Sequence, residues 1–529
     1  MSPAKPARPL APPEPVVLLG RIVTFDGATP VIEDGALYIG ADERIHAARE
    51  RTRRAPAGFR GAPRIRTGGV IYPGLIDLHN HIVYNSLPLW RPRDQTTPYK
   101  SRYKWPSDHS YEQLISDPAN ALGALAGKAQ LKYVETKAVI GGVTAIQGSA
   151  KTGRPYEGWL VRNVEYETFA TGIKTVYQSA LPLRGAPDYE SRRKQLDKGA
   201  SFIYHLSEGT DTALVAEYTT VKSERLVRPR FCAIHCTALG HADFVDWQTV
   251  IRTGATAERG SLIWSPFSNL WLYNATTDVV AARDAGLRIC LGADWSPSGT
   301  KNLLGELKVA DLCNTNAFQG AFSARELCEM ATCNPADAIG WGHRLGRLRK
   351  GLHADVLVVA DRGGDPYRTL IEAIERDVLL VTINGYPFYG TTELMQQTKS
   401  PETEPIEVAG SPRAIRLRYT GIPDADMGWH DVLADIAHAT ADPFKRYFEL
   451  EKAHGNPNPE KRPLWLITDK PWDDPTVLGK PVPINVEIPP LDGLEHDAAY
   501  FAQVDANPIH AGKLSPLADY YADAPALAG

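Results

Sequence analysis

The sequence predicts an α/β protein, a (β/α)8 barrel with a smaller β domain contributed by both of its flanks. Three observations lead there. Eight short apolar runs alternate with helical patterns through the middle of the chain, β-rich blocks lie on either side, and 529 residues exceed one ordinary domain.

The elements follow in order. Residues 1–15 are rich in Pro and Ala, lack the apolar core of a signal peptide and read as a flexible arm. VVLLGRIVTF, ALYIG and ERIHAA, cut by Gly, Asp and Pro turns, make residues 16–68 a set of short strands. The same pattern returns at ADVLVVA (354–360) and DVLLVTINGYP (377–387), so 16–68 and 346–398 are expected to build one domain together. Residues 69–345 hold the eight barrel runs: 70–79, 142–149, 160–167, 173–180, 201–209, 230–239, 261–270 and 287–295. Eight such units fit a closed barrel better than an open sheet. An insertion at 86–118, mixing Trp, Tyr, Arg and Lys, follows the first strand. That places it on the face where barrel enzymes carry their chemistry, as a lid or substrate wall or else as a surface loop against a neighbouring subunit. Residues 399–529 form a C-terminal extension with one helix pattern, DPFKRYFELEKAHG.

Bulk properties exclude several function classes. A formal charge of -4 gives no basic field for nucleic acid, and no apolar run is long enough to span a bilayer. The HxE…PCxxC signature of base-flipping zinc deaminases is absent. The six cysteines sit mostly in apolar stretches. Cys232 and Cys236 lack the second pair of a zinc ribbon, so the thiols read as buried, in a cytoplasmic protein.

Chemistry concentrates at strand ends. His79 and His81 close the first run, and residues two apart on a strand face the same side, so both imidazoles can meet one ion. His205 closes FIYH with Glu208 three residues on, Asp294 closes LRICLGAD, and His235 closes CAIH. Imidazoles with one carboxylate suit Zn²⁺ or Fe²⁺ and leave room for a water. Tyr84, Trp90, Asn269 and Trp295 are candidate substrate contacts.

PGLIDLHNH, HLSEG, the strand-end His235, SPFSNL, LGADWSP and GRLRKGLHADVLVV together resemble the amidohydrolase superfamily over residues 16–398. Within it they are similar to the cytosine deaminase and triazine chlorohydrolase branch. The resemblance implies a distorted barrel with a composite β-sandwich. It implies one divalent metal per chain on His79, His81, His205 and Asp294, proton transfer by Glu208, and polarisation of the attacked bond by His235. The fourth-strand end reads YQSA, without the carboxylated Lys of binuclear relatives, so a single ion is expected. Metal-assisted hydrolysis of a C–N bond in a small molecule is the expected activity, in a homo-oligomer with no nucleic-acid or membrane partner. Hydrolytic dehalogenation of a heterocycle and a non-catalytic scaffold are the alternatives.

Overall fold

The computed structural model describes residues 13–27, 29–92, 95–148, 160–252, 258–418, 426–453, 455, 488–495 and 498–522. Most of the arm expected at 1–15, and much of the C-terminal extension, lie outside these.

Four strands open the chain: β1 (Val16–Val23), β2 (Val31–Ile39), β3 (Ile45–Glu50) and β4 (Arg64–Pro73). Eight short strands follow: β5 (Leu75–Asp77), β6 (Val143–Ile146), β7 (Arg162–Asn163), β8 (Val176–Ser179), β9 (Ser201–Leu206), β10 (Phe231–His235), β11 (Ser261–Trp264) and β12 (Arg288–Leu291). Five more close the order: β13 (Val356–Ala360), β14 (Val378–Ile383), β15 (Tyr386–Gly390), β16 (Glu404–Val408) and β17 (Ser411–Ile415).

The first and last groups make one nine-stranded sheet, ordered β16-β17-β15-β14-β13-β4-β1-β2-β3. Both flanks of the chain therefore meet at the β13–β4 ladder, where Val358 pairs with Ile71. One face of this sheet packs Leu18, Ile22, Leu37, Ile71, Val356 and Leu380 into a core of their own. The middle strands are parallel and form two arcs, β5-β6-β7 and β12-β11-β10-β9-β8, in a TIM-barrel-like arrangement. Parallel strands of this kind are covered by helices and read as unbroken apolar runs, which is why SLIW and FCAIH are wholly buried.

The strand boundaries depart from the expectation in four places. The run at 70–79 divides: β4 carries on to Pro73 in the large sheet, and β5 begins after Gly74. The run at 160–167 shrinks to Arg162–Asn163, because Arg162 turns into a buried cluster, bonding Asp355 and Glu167. The run at 261–270 stops at Trp264. Pro266 sits at the first helical position, where its missing N–H costs nothing, and Pro266–Tyr273 is a helix. The hairpin β16–β17 adds to the sheet a segment expected in the extension.

The extension also folds back on the parallel arcs. Buried Asp492 accepts from buried Lys137 Nζ at 2.5 Å and pairs with Lys301 Nζ at 3.3 Å. Lys137 in turn bonds Asn85 O at 2.7 Å and Ser296 Oγ at 3.0 Å. The helix pattern at 442–455 is realised as Pro443–Ala453. No helix among the described residues is long and apolar enough to cross a membrane.

Candidate active site

The strand ends converge. His79 and His81 follow β5, His205 lies in β9, His235 ends β10 and Asp294 follows β12. The loop after β12 runs beside the loop after β5, with Asp294 N donating to His79 O at 2.8 Å and His81 N to Asp294 O at 2.9 Å. Only a glycine permits this approach at position 292, since a Cβ there would lie 2.3 Å from the Cβ of His79.

His79 Nε2 and His81 Nε2 lie 3.0 and 3.3 Å from His205 Nε2, and 3.3 and 3.5 Å from Asp294 Oδ1. Burial, reinforced by the neighbouring imidazoles, holds His79 and His205 well below the usual histidine range. His81 keeps 29% of its side chain exposed, yet burial of its imidazole pushes it down to about 4, with His235 adding to the fall and Glu208 opposing it. Burial raises Asp294 well above the usual carboxylate range, with Glu208, Glu306 and Asp77 adding to the rise. Neutral nitrogens aimed at one another around a carboxyl group without a cationic partner describe a site that lacks positive charge. A divalent ion would supply it, and His79, His81 and Asp294, or His79, His205 and His235, could hold one, each triad having its ligand atoms within 4.8 Å. Ser265 Oγ, 2.7 Å from His79 Nδ1, orients that ring through its far nitrogen.

Glu208 and His235 flank the cluster. Glu208 Oε2 lies 3.6 Å from His235 Nε2, and His235 Nε2 lies 4.0 Å from Asp294 Oδ2. A chain of bonds sets the tautomer of His235. Thr277 donates to His235 O at 2.5 Å and accepts from Asn269 Nδ2 at 3.3 Å, so Asn269 Oδ1 faces His235 Nδ1 at 2.9 Å. The proton therefore sits on Nδ1, leaving a lone pair at Nε2.

The four expected substrate contacts separate into three places. Trp295 packs on His81, 5.9 Å between ring centres, and Tyr84 packs on Trp295 at 5.0 Å. Trp90 is one row further out. Its ring neighbours are Trp105 and Tyr111, which themselves reach Trp295 at 5.5 and 6.3 Å. Asn269 lies on the helix after β11, behind His235. Sequence reasoning did not single out Trp105, Tyr111 or Tyr273. Tyr273 ends that helix and donates to Glu208 Oε1 at 2.6 Å. Its one sequence signal is the aromatic cluster NLWLY, which reads equally as core.

All six cysteines are free and buried, and burial raises Cys232 to about 12, as a small apolar residue rather than a ligand.

Residues 196–387, from the helix before β9 to β15, match the amidohydrolase family. The chain is 30% identical over 141 residues to the 5-methylthioadenosine/S-adenosylhomocysteine deaminase of Caldicellulosiruptor saccharolyticus, across 26% of this chain and 30% of that one. The chain thus spans less than a third of the length of the first curated relatives it matches. A deaminase of the same name from Syntrophobacter fumaroxidans aligns over 393 residues at 25% identity, covering 64% of this chain and 83% of the relative. Among solved structures, atrazine chlorohydrolase from Arthrobacter aurescens TC1, complexed with zinc, superposes with a TM-score of 0.55 at 17% identity, over 70% of this chain and 95% of that one. This last likeness is one of fold.

Proposed function

We propose that the protein is a metal-dependent hydrolase that cleaves a C–N bond of a small molecule, in the manner of an amidine or amide hydrolase. The observation that carries this reading is the meeting of three imidazole nitrogens and one carboxylate oxygen, with Glu208 and His235 on the flank. The names of the relatives, deaminases of 5-methylthioadenosine, S-adenosylhomocysteine and 5'-deoxyadenosine, support the same bond type.

In this reading His79, His81, His205 and Asp294 hold one ion, Zn²⁺ or Fe²⁺. The fourth strand supports a single ion, because it ends at Gln178, Ser179 and Ala180, none an anionic bridge for a second. When bound, the ion lowers the pKa of a water and polarises the bond under attack. Glu208 takes the proton of the attacking water and returns it to the departing nitrogen, a transfer that positioned carboxyl groups perform. His235 presents a lone pair at Nε2, so it acts as a donor to developing charge only after gaining a proton there. Trp295, Tyr84, Trp105 and Tyr111 form an aromatic wall against which a flat ring can stack, and the inserted segment serves as the lid. The finer architecture belongs to the same proposal: the two arcs close into a distorted (β/α)8 barrel over 69–345, and the nine-stranded sheet is the composite β-sandwich domain.

The test is a panel assay on metal-loaded protein with 5'-methylthioadenosine, S-adenosylhomocysteine, 5'-deoxyadenosine, guanine and atrazine, scored for ammonia and chloride. Ammonia release with about one metal per chain is the expected result. Chloride alone would replace C–N hydrolysis with dehalogenation, and no release from folded, metal-loaded protein would leave the scaffold reading.

A further inference from the structure

Glu208 reaches the site on a loop that the inserted segment holds down. Arg102 N donates to Glu208 O at 3.1 Å, and Thr210 N and Asp211 N both donate to Lys100 O, at 2.9 and 3.0 Å. Three residues past Arg102, the same segment carries Trp105, whose Nε1 lies 3.1 Å from Tyr273 Oη. That hydroxyl lies 2.6 Å from Glu208 Oε1. An indole N–H can only donate, so Tyr273 Oη accepts from Trp105. Tyr273 is buried, its own hydrogen needs an acceptor, and Glu208 Oε1 takes it. The chain therefore has one direction, from Trp105 through Tyr273 to Glu208 Oε1.

We infer that Tyr273, oriented by Trp105 of the inserted segment, is a positioning residue that keeps Oε1 of Glu208 as an acceptor and leaves Oε2 to carry the transferred proton. The inference rests on the reading of Glu208 as proton carrier. Oε2 is the oxygen turned toward His235 Nε2. The proton lost by the attacking water forms an O–H bond at Oε2, and that bond breaks when the departing nitrogen takes the proton, with no further reactant. Because the strap and Trp105 belong to one segment, lifting it removes both the backbone hold on Glu208 and the donor to Tyr273. Seating of the segment and readiness for proton transfer are then one event.

The test uses the full-length, metal-loaded protein and 5'-methylthioadenosine. Tyr273→Phe removes only the hydroxyl. It should lower kcat about 10- to 100-fold, part of the roughly 10²–10⁴ that a positioned acid–base group contributes, with KM and metal content nearly unchanged. Trp105→Phe, at a partly exposed position, should lower kcat in the same direction by less. A readout independent of turnover is the ¹⁵N-indole spectrum, with the Trp105 signal identified by its loss in Trp105→Phe. In Tyr273→Phe that N–H should exchange with solvent at least roughly tenfold faster, since its acceptor is gone. A kcat within twofold of wild type, or a fall that tracks lost metal, overturns the inference. So does an indole signal that does not change. If the wild-type protein is inert on this substrate, the functional reading fails there, and the indole exchange alone decides for or against the hydrogen-bond chain.

Discussion

Gly209 is the residue at which the strap on Glu208 can be tested by adding one methyl group. Its φ of +136° is rarely adopted by residues with a side chain, and a Cβ there would lie 2.4 Å from Lys100 O and 2.6 Å from Ser101 Cα. Both contacts are backbone, so neither can rotate away. Gly209→Ala therefore carries two costs. The backbone conformation costs about 1–3 kcal/mol for a non-glycine residue. The overlap is relieved only by lifting the strap, which breaks the three backbone hydrogen bonds between Lys100–Arg102 and Glu208–Asp211, at about 0.5–1.5 kcal/mol each. The sum is a loss of about 2.5–7.5 kcal/mol. Gly199→Ala is the control: its φ is +79°, but nothing lies within 4 Å of its Cβ, so it should lose only the first part, about 1–3 kcal/mol. Urea denaturation of the two metal-loaded variants separates the effects. If Gly209→Ala loses no more stability than Gly199→Ala, the strap is not under the steric constraint described here.

Other measurements probe different parts of the molecule. Glu208→Gln should retain fold and metal but lose about 10²–10⁴-fold in turnover of whichever panel compound is accepted, and near-full activity would remove Glu208 from the mechanism. Glu306 is buried and raised to about 8 from an ordinary 4.5, chiefly by burial. Between those values the folded protein binds a proton that the unfolded chain releases, so stability should fall as pH rises from about 4.5 to 8. Glu306→Gln should lack this component, and a wild-type-minus-variant stability difference that stays flat across the window would show that Glu306 does not titrate there. Asp355→Asn weakens the buried bidentate pair with Arg162, bonded at 2.7 and 3.0 Å, which ties β7 to the large sheet. A loss of about 3–5 kcal/mol is expected by thermal or chemical unfolding, and a loss under about 1 kcal/mol would mean that Glu167 and Asn384 suffice to hold the guanidinium.

How much of this was legible in the sequence depended on whether a residue's role follows from its own strand. His79, His205, His235 and Asp294 each close an apolar run, and parallel strands bring such ends to one rim, so their meeting could be read before any coordinates. The two flanking β blocks were legible for the same reason, since VVLLGRIV and VLVVA are strand patterns in any context. β16 and β17 were not, because EPIEV and SPRAI alternate weakly and each carries a proline. Asn269 was singled out as a candidate substrate contact, whereas its bond to His235 depends on Thr277, which fixes which end of the amide faces that ring. Tyr273 and Trp105 could not be paired from the sequence: 168 residues separate them, and each alone is an aromatic side chain with an ordinary place in a core.

The central ladder of the nine-stranded sheet also has a consequence in time. β4 pairs on one side with β1, made shortly before it, and on the other with β13, about 280 residues further along. At the usual rate of synthesis, about 5–20 residues per second, that partner arrives roughly 15–60 s later. Throughout that interval the nascent chain exposes the open edge of an apolar strand, GGVIYP, the kind of edge that recruits strands from other chains. Yield in cells should therefore depend on how fast the middle of the message is translated and on chaperones that cover strand edges, more than on the stability of the finished protein.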